Sequence, residues 1–105
     1  MRAVVLTTLL AAALPGAALA GDPAAGKQKA QTCAVCHGPM GIAVAPETPN
    51  LAGEPEGYLT RQLQAFRSGK RQHEVMNVIA RPLTDAEIGD LAAWFASLKI
   101  ELKTP

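Results

Sequence analysis

The chain has 105 residues, ten Lys or Arg against nine Asp or Glu, and a formal net charge of +1 at pH 7. That balance argues against a nucleic-acid binder, which carries a basic excess. Tyr58, Phe66, Trp94 and Phe95 are its full set of aromatics, and a chain this short ordinarily needs a staple to be stable.

The first segment has the form of an export signal. Arg2 gives a short positive start, Ala3 to Leu14 is apolar, Pro15-Gly16 breaks any helix, and Ala18-Leu19-Ala20 is an A-x-A cleavage site. An uncleaved membrane anchor is the alternative. The apolar run is only marginally long enough for that and has Pro15 and Gly16 inside it. Residues 1–20 are therefore expected to be a cleaved secretory signal. Residues 21–105 are expected to form one domain of about 85 residues, periplasmic in a bacterium, with no integral membrane segment left. Arg2 is the only charge before Gly21, so the mature chain is close to neutral.

A first helix is predicted from about Pro23 to Thr32. Asp22 is a good N-cap, and Pro23 falls at the first helical position, where its missing N–H is harmless. Cys33-Ala34-Val35-Cys36-His37 follows. This is the C-x-x-C-H pattern of covalent c-type haem attachment. Two thiols three positions apart reach both vinyl groups of one porphyrin from one side of a helical turn. The adjoining His37 then offers its imidazole to the iron as proximal ligand. A thioredoxin-like redox pair would want a preceding buried strand. The stretch Lys27 to Thr32 is polar and helical instead. A zinc site needs four good ligands, and the chain offers two cysteines and two histidines, with His37 directly after Cys36.

Gly38 to Pro55 is rich in Gly, Pro and Ala with no period of either kind, and reads as a loop. A second helix is predicted from Glu56 to Ser68, with Leu59, Leu63 and Phe66 on one face and Gly69 as its stop. Between Lys70 and Pro82, Val75 to Ile79 has the makings of a short helix. The third long helix has the clearest signals. Thr84-Asp85-Ala86-Glu87 is a capping box, Leu83 and Ile88 form the staple, and Ile88, Leu91, Ala92, Phe95 and Leu98 make the buried stripe. No strand signal and no internal repeat is present.

The sixth iron ligand decides what such a haem does: methionine raises the potential, a second histidine lowers it, and an open position admits ligands. Met40, Met76 and His73 are the candidates in the mature chain. Met40, three residues after His37, cannot easily pass round the porphyrin edge. Met76 sits among Val75, Val78 and Ile79, suited to a dry haem face. His73 is flanked by Arg71, Gln72 and Glu74, a solvated setting. Met76 has the better case.

With these pieces in place, the chain resembles the class I c-type cytochromes, in particular the short bacterial monohaem kind, from Gly21 to about Leu98. The resemblance implies an all-α fold: three main helices and loops wrapped around one covalent haem. Gly26 then lets the last helix cross closely and meets Trp94, although Ala30 stands where many relatives carry an aromatic. Pro49-Asn50-Leu51-Ala52-Gly53 looks like the segment whose proline carbonyl, here that of Pro49, accepts a hydrogen bond from the ligating histidine.

The expected function is one-electron transfer on one covalent haem c, its iron held by His37 and Met76, with no enzymatic step. Its partners would be redox proteins: a donor dehydrogenase or cytochrome complex, and an acceptor oxidase or reductase. The alternatives are a cytochrome subunit of a periplasmic dehydrogenase and, behind it, a ligand-binding or peroxidatic haem protein. Arg67, Lys70, Arg71 and Arg81 cluster around the Met76 segment with only Glu74 opposing them. They make either a patch that steers an acidic partner or a solvated face. Arg71 is the candidate haem-propionate contact.

Overall fold

A computed structural model describes residues 1–12 and 21–105. The Pro15-Gly16 break and the expected cleavage site at Ala18–Ala20 lie outside the described residues. Five helices follow in chain order: α1 (Pro23–Lys29), α2 (Ala34–His37), α3 (Glu56–Ser68), α4 (Glu74–Ala80) and α5 (Asp85–Ser97). No strand occurs among the described residues. The three predicted long helices correspond to α1, α3 and α5, and the short Val75–Ile79 segment to α4. No helix among the described residues is long and apolar enough to cross a membrane.

Helices α1 and α5 pack at backbone distance because glycine allows it. A Cβ on Gly26 would fall 1.9 Å from the Asp90 carbonyl oxygen and 2.8 Å from Trp94 Cβ, so the expected meeting of Gly26 and Trp94 is present. A second close approach lies beside it: a Cβ on Gly21 would fall 1.9 Å from the Gly89 carbonyl oxygen. Polar contacts fix the crossing. The Asp22 side chain accepts from the Ala24 N–H at 2.9 Å and caps α1, while the Asp22 N–H donates to the Asp90 carboxylate at 2.8 Å. Lys29 pairs with Glu87 at 2.5 Å. Lys27 lies 5.5 Å from the Trp94 ring centroid.

Helix α1 ends at Lys29, three residues earlier than predicted. Ala30 caps it, donating to the Gly26 carbonyl at 2.8 Å, and its methyl enters the core. A tight turn then leads into α2, whose Cys33 packs on the same core.

Helix α5 begins on the expected capping box. The Glu87 N–H donates to Thr84 Oγ1 at 3.1 Å, and the Thr84 N–H donates to Glu87 Oε1 at 3.0 Å. Leu83 and Ile88 are buried together as the staple. Leu91, Ala92 and Phe95 continue the buried stripe and meet Leu59 and Phe66 of α3 in one core. Burial of side chains such as Ile88 and Leu91 stabilises by about 1.5–3 kcal/mol each. Gly69 ends α3 at φ +83°, a left-handed conformation that costs glycine little.

Candidate functional site

The attachment motif is a helical turn. Cys33 caps α2, and its carbonyl accepts from the His37 N–H at 2.9 Å. Gly38 closes the helix at φ +79°, where a Cβ would strike the Ile42 carbonyl oxygen at 1.9 Å. Both thiols are free and half-buried. Burial pushes the Cys33 thiol up; a backbone hydrogen bond and the nearby Lys29 charge pull the other way without cancelling it. A dithiol redox motif wants a depressed thiol, so this environment disfavours the thioredoxin-like alternative, as does the helix that precedes it. Among the described residues no group of three or more His, Cys, Asp and Glu side chains gathers to hold a zinc ion.

His37 is the buried polar side chain of the core region, only 8% exposed. Its Nδ1 lies 2.8 Å from the Pro49 carbonyl oxygen. A carbonyl only accepts, so the ring proton sits on Nδ1 and leaves the Nε2 lone pair for another partner. The loop that carries Pro49 is pinned at several points. The Val44 and Ala45 N–H groups donate to the Cys36 carbonyl at 3.0 and 3.2 Å. Those of Leu51 and Ala52 donate to the Gly41 carbonyl at 2.8 and 3.1 Å. The Asn50 side chain accepts from the Ala43 N–H at 2.7 Å. The Gly53 N–H reaches the Phe95 carbonyl at 2.9 Å and ties the loop to α5.

Met76 is half-buried on α4 and packs against the same core as Cys33. His73 is the N-cap of α4: its Nδ1 accepts from the Val75 and Met76 N–H groups, each at 3.2 Å. Asn77 ties this turn to α3. Its amide donates to the Phe66 and Arg71 carbonyls at 2.9 and 2.8 Å, and its oxygen accepts from the His73 N–H at 2.7 Å. Met40 is exposed and lines a separate cavity with Ile42, Ala52, Leu98 and Ile100. Arg71 donates to Gln62 Oε1 at 2.8 Å and lies 4.6 Å from the Phe66 ring centroid.

Two free thiols at this spacing, an imidazole with Nε2 available, and a thioether on the same core form a donor set that fits haem c. Apolar side chains next to these residues in the chain also lack cover: Val35 within the motif, Ile42 and Val44 in the loop after it, and Val75 and Val78 beside Met76 are exposed. A bound porphyrin would remove part of that surface from water. Asn50, Asn77 and the capping role of His73 were not legible beforehand. Asn50 directly follows Pro49 and Asn77 directly follows Met76, which is the only local signal that either holds its neighbour in place.

An all-α fold with this motif defines the class I c-type cytochromes. The cytochrome c family model matches residues 23–99, and the chain belongs to that family. The family carries covalent haem c and its iron. The chain is 41% identical over 103 residues to cytochrome c4 of Pseudomonas aeruginosa, covering 97% of this chain and 51% of that protein. It is 42% identical over 81 residues to cytochrome c-554(548) of Halomonas halodenitrificans, covering 74% of this chain and 98% of that one. It is 40% identical over 95 residues to a thiosulfate dehydrogenase electron acceptor of Thiomonas intermedia, covering 87% and 44%. Reduced cytochrome c4 from Pseudomonas stutzeri superposes with a TM-score of 0.72 at 39% identity, over 76% of this chain and 47% of that one. The chain thus spans about half the length of the cytochrome c4 relatives it matches.

Proposed function

We propose that the chain is an electron carrier with one haem c, joined through Cys33 and Cys36 and ligated by His37 and Met76. When bound, the haem supplies a one-electron ferric/ferrous couple, and methionine ligation raises its potential. His37, its proton held on Nδ1 by the Pro49 carbonyl, offers Nε2 to the iron in a fixed orientation. Helix α4, capped by His73 and tied down by Asn77, carries Met76, which would supply the second protein ligand to the iron. The observation that carries this reading is the buried His37 ring on the Pro49 carbonyl, beside two free thiols. No substrate bond is made or broken. Attachment and service take place in the periplasm, after removal of residues 1–20.

A second reading has its own support. Relatives include a thiosulfate dehydrogenase electron acceptor, and one fifth of a chain of the TsdBA thiosulfate dehydrogenase of Marichromatium purpuratum superposes on 75% of this chain, with a TM-score of 0.70 at 38% identity. In that case the same carrier works bound to a dehydrogenase.

Spectra of the matured protein test both. The carrier gives a methionine–iron charge-transfer band in the oxidised form and no carbon monoxide shift in the reduced form. Met76→Ala abolishes the band and admits carbon monoxide. Rapid carbon monoxide binding by the unaltered protein would contradict the carrier reading. Co-purification with a dehydrogenase would favour the second.

A further inference from the structure

The turn from Pro46 to Pro49 carries the carbonyl that meets His37, yet few bonds hold it. Pro46 and Pro49 have no N–H to donate. Neither Glu47 nor Thr48 makes a backbone–backbone hydrogen bond among the described residues. Thr48 Oγ1 donates within the turn, to the Pro46 carbonyl at 3.2 Å. The backbone ties on either side stop short of it: Val44 and Ala45 reach the Cys36 carbonyl, and Leu51 and Ala52 reach that of Gly41.

Two hydrogen bonds leave residues 46–50 for the rest of the protein. One joins the Pro49 carbonyl to His37 Nδ1 at 2.8 Å, and in the other Asn50 Oδ1 accepts from the Ala43 N–H at 2.7 Å. The second bond spans the mouth of the turn and joins its two arms one residue from Pro49. The turn is also strained. Glu47 has φ +54°, the one non-glycine residue with a positive φ among the described residues. An L side chain adopts that conformation at a cost that surrounding contacts must offset. Without the Asn50 bond the turn is free to relax and to carry Pro49 with it. Asn50 is itself exposed, so packing does not account for where its side chain lies.

We propose that Asn50 is a positioning residue for the iron ligand: its bond to Ala43 holds the strained turn closed, keeps the Pro49 carbonyl on the His37 Nδ1 proton, and so sets how strongly His37 donates to the iron. The proposal rests on the carrier reading. A carbonyl held on Nδ1–H makes the imidazole a stronger donor and favours the ferric form, and loosening it favours the ferrous form.

The test follows deuterium exchange of the His37 Nδ1 proton by NMR in the ¹⁵N-labelled, haem-loaded, ferrous protein. Asn50→Ala should quicken that exchange at least about threefold, while the amides of buried Leu91 and Phe95 keep their rates. The same variant changes no charge, and its reduced-to-oxidised ratio at a fixed ambient potential should rise at least about twofold. Asn50→Asp keeps an oxygen for the Ala43 N–H and should return the exchange to within about twofold of the unaltered protein. Thr48→Ala removes a bond inside the turn and should also stay within about twofold. An exchange rate or a reduced-to-oxidised ratio untouched by Asn50→Ala would overturn the assignment. So would equal quickening at Leu91 and Phe95, or equal quickening in Thr48→Ala. A haem that His37 does not ligate sinks the carrier reading and this proposal together; a ligated haem indifferent to Asn50→Ala removes the proposal alone.

Discussion

His37 and Met76 are held by unlike means, and the difference predicts which is easier to disturb. His37 is buried, and one strong hydrogen bond to the Pro49 carbonyl sets its tautomer. Met76 depends on a short helix whose first turn is capped by His73 and tied to α3 and the turn after it by Asn77. Replacing Asn77 with Ala removes three hydrogen bonds, leaves the Arg71 carbonyl short of a donor, and leaves the Phe66 carbonyl with the Gly69 N–H alone. The holoprotein should lose about 2–3 kcal/mol in denaturant unfolding. The methionine–iron band should weaken or titrate away before the protein unfolds, while haem content stays full. An unchanged band and an unchanged midpoint would show that Asn77 does not position Met76.

At the scale of elements, the α1–α5 crossing is the tightest joint, and its glycine cannot be replaced by anything larger. Gly26→Ala places a methyl 1.9 Å from a backbone oxygen, which neither helix can yield without separating. A loss of about 3 kcal/mol or more is expected in chemical unfolding; a loss below about 1 kcal/mol would mean that the helices are further apart than described.

The same joint has a pH signature. The Lys29 hydrogen bond, with help from the Thr84 N–H, lowers the Glu87 carboxyl from an ordinary 4.5 to about 2. A lowered carboxyl adds stability that is present above about 4.5 and lost as pH falls through about 2. Glu87→Gln keeps the capping box and removes the charge. The variant should be less stable at neutral pH and show a flatter stability profile below pH 4.5. Matching acid limbs in the two proteins would refute the linkage.

Much at this scale was legible in the sequence. The bounds of α3 and the start of α5 follow from Gly69, the Thr84–Glu87 box and the apolar periods. The His37 Nδ1 lies 2.8 Å from the Pro49 carbonyl oxygen, the contact that the family resemblance implies. What was hidden depends on contacts distant in the chain. Gly21 against Gly89 is invisible to any local pattern. The loop from Gly38 to Pro55 has no period because its hydrogen bonds run to Gly41, Cys36 and Phe95 carbonyls rather than along an element. Helix α1 ends short of the predicted Thr32 at Ala30, whose methyl is buried in the core.

For the whole molecule, a small helical body leaves several large apolar side chains near the motif in water, and a covalent haem is the group that would cover them. The apoprotein is therefore expected to be largely unfolded. Cys33→Ser with Cys36→Ser, exported in the same host, should give far-ultraviolet circular dichroism of a disordered chain and rapid proteolysis. A cooperative, native-like melt of that variant would show that the polypeptide core suffices alone.

The most direct test of the central claim is the intact mass of the protein exported from a host with cytochrome maturation machinery. The expected product is a chain beginning at Gly21 and heavier by one haem, with the adduct on the peptide that contains Cys33 and Cys36 and resistant to acid–acetone extraction. A mass without haem, or a haem that acid–acetone removes, would contradict it.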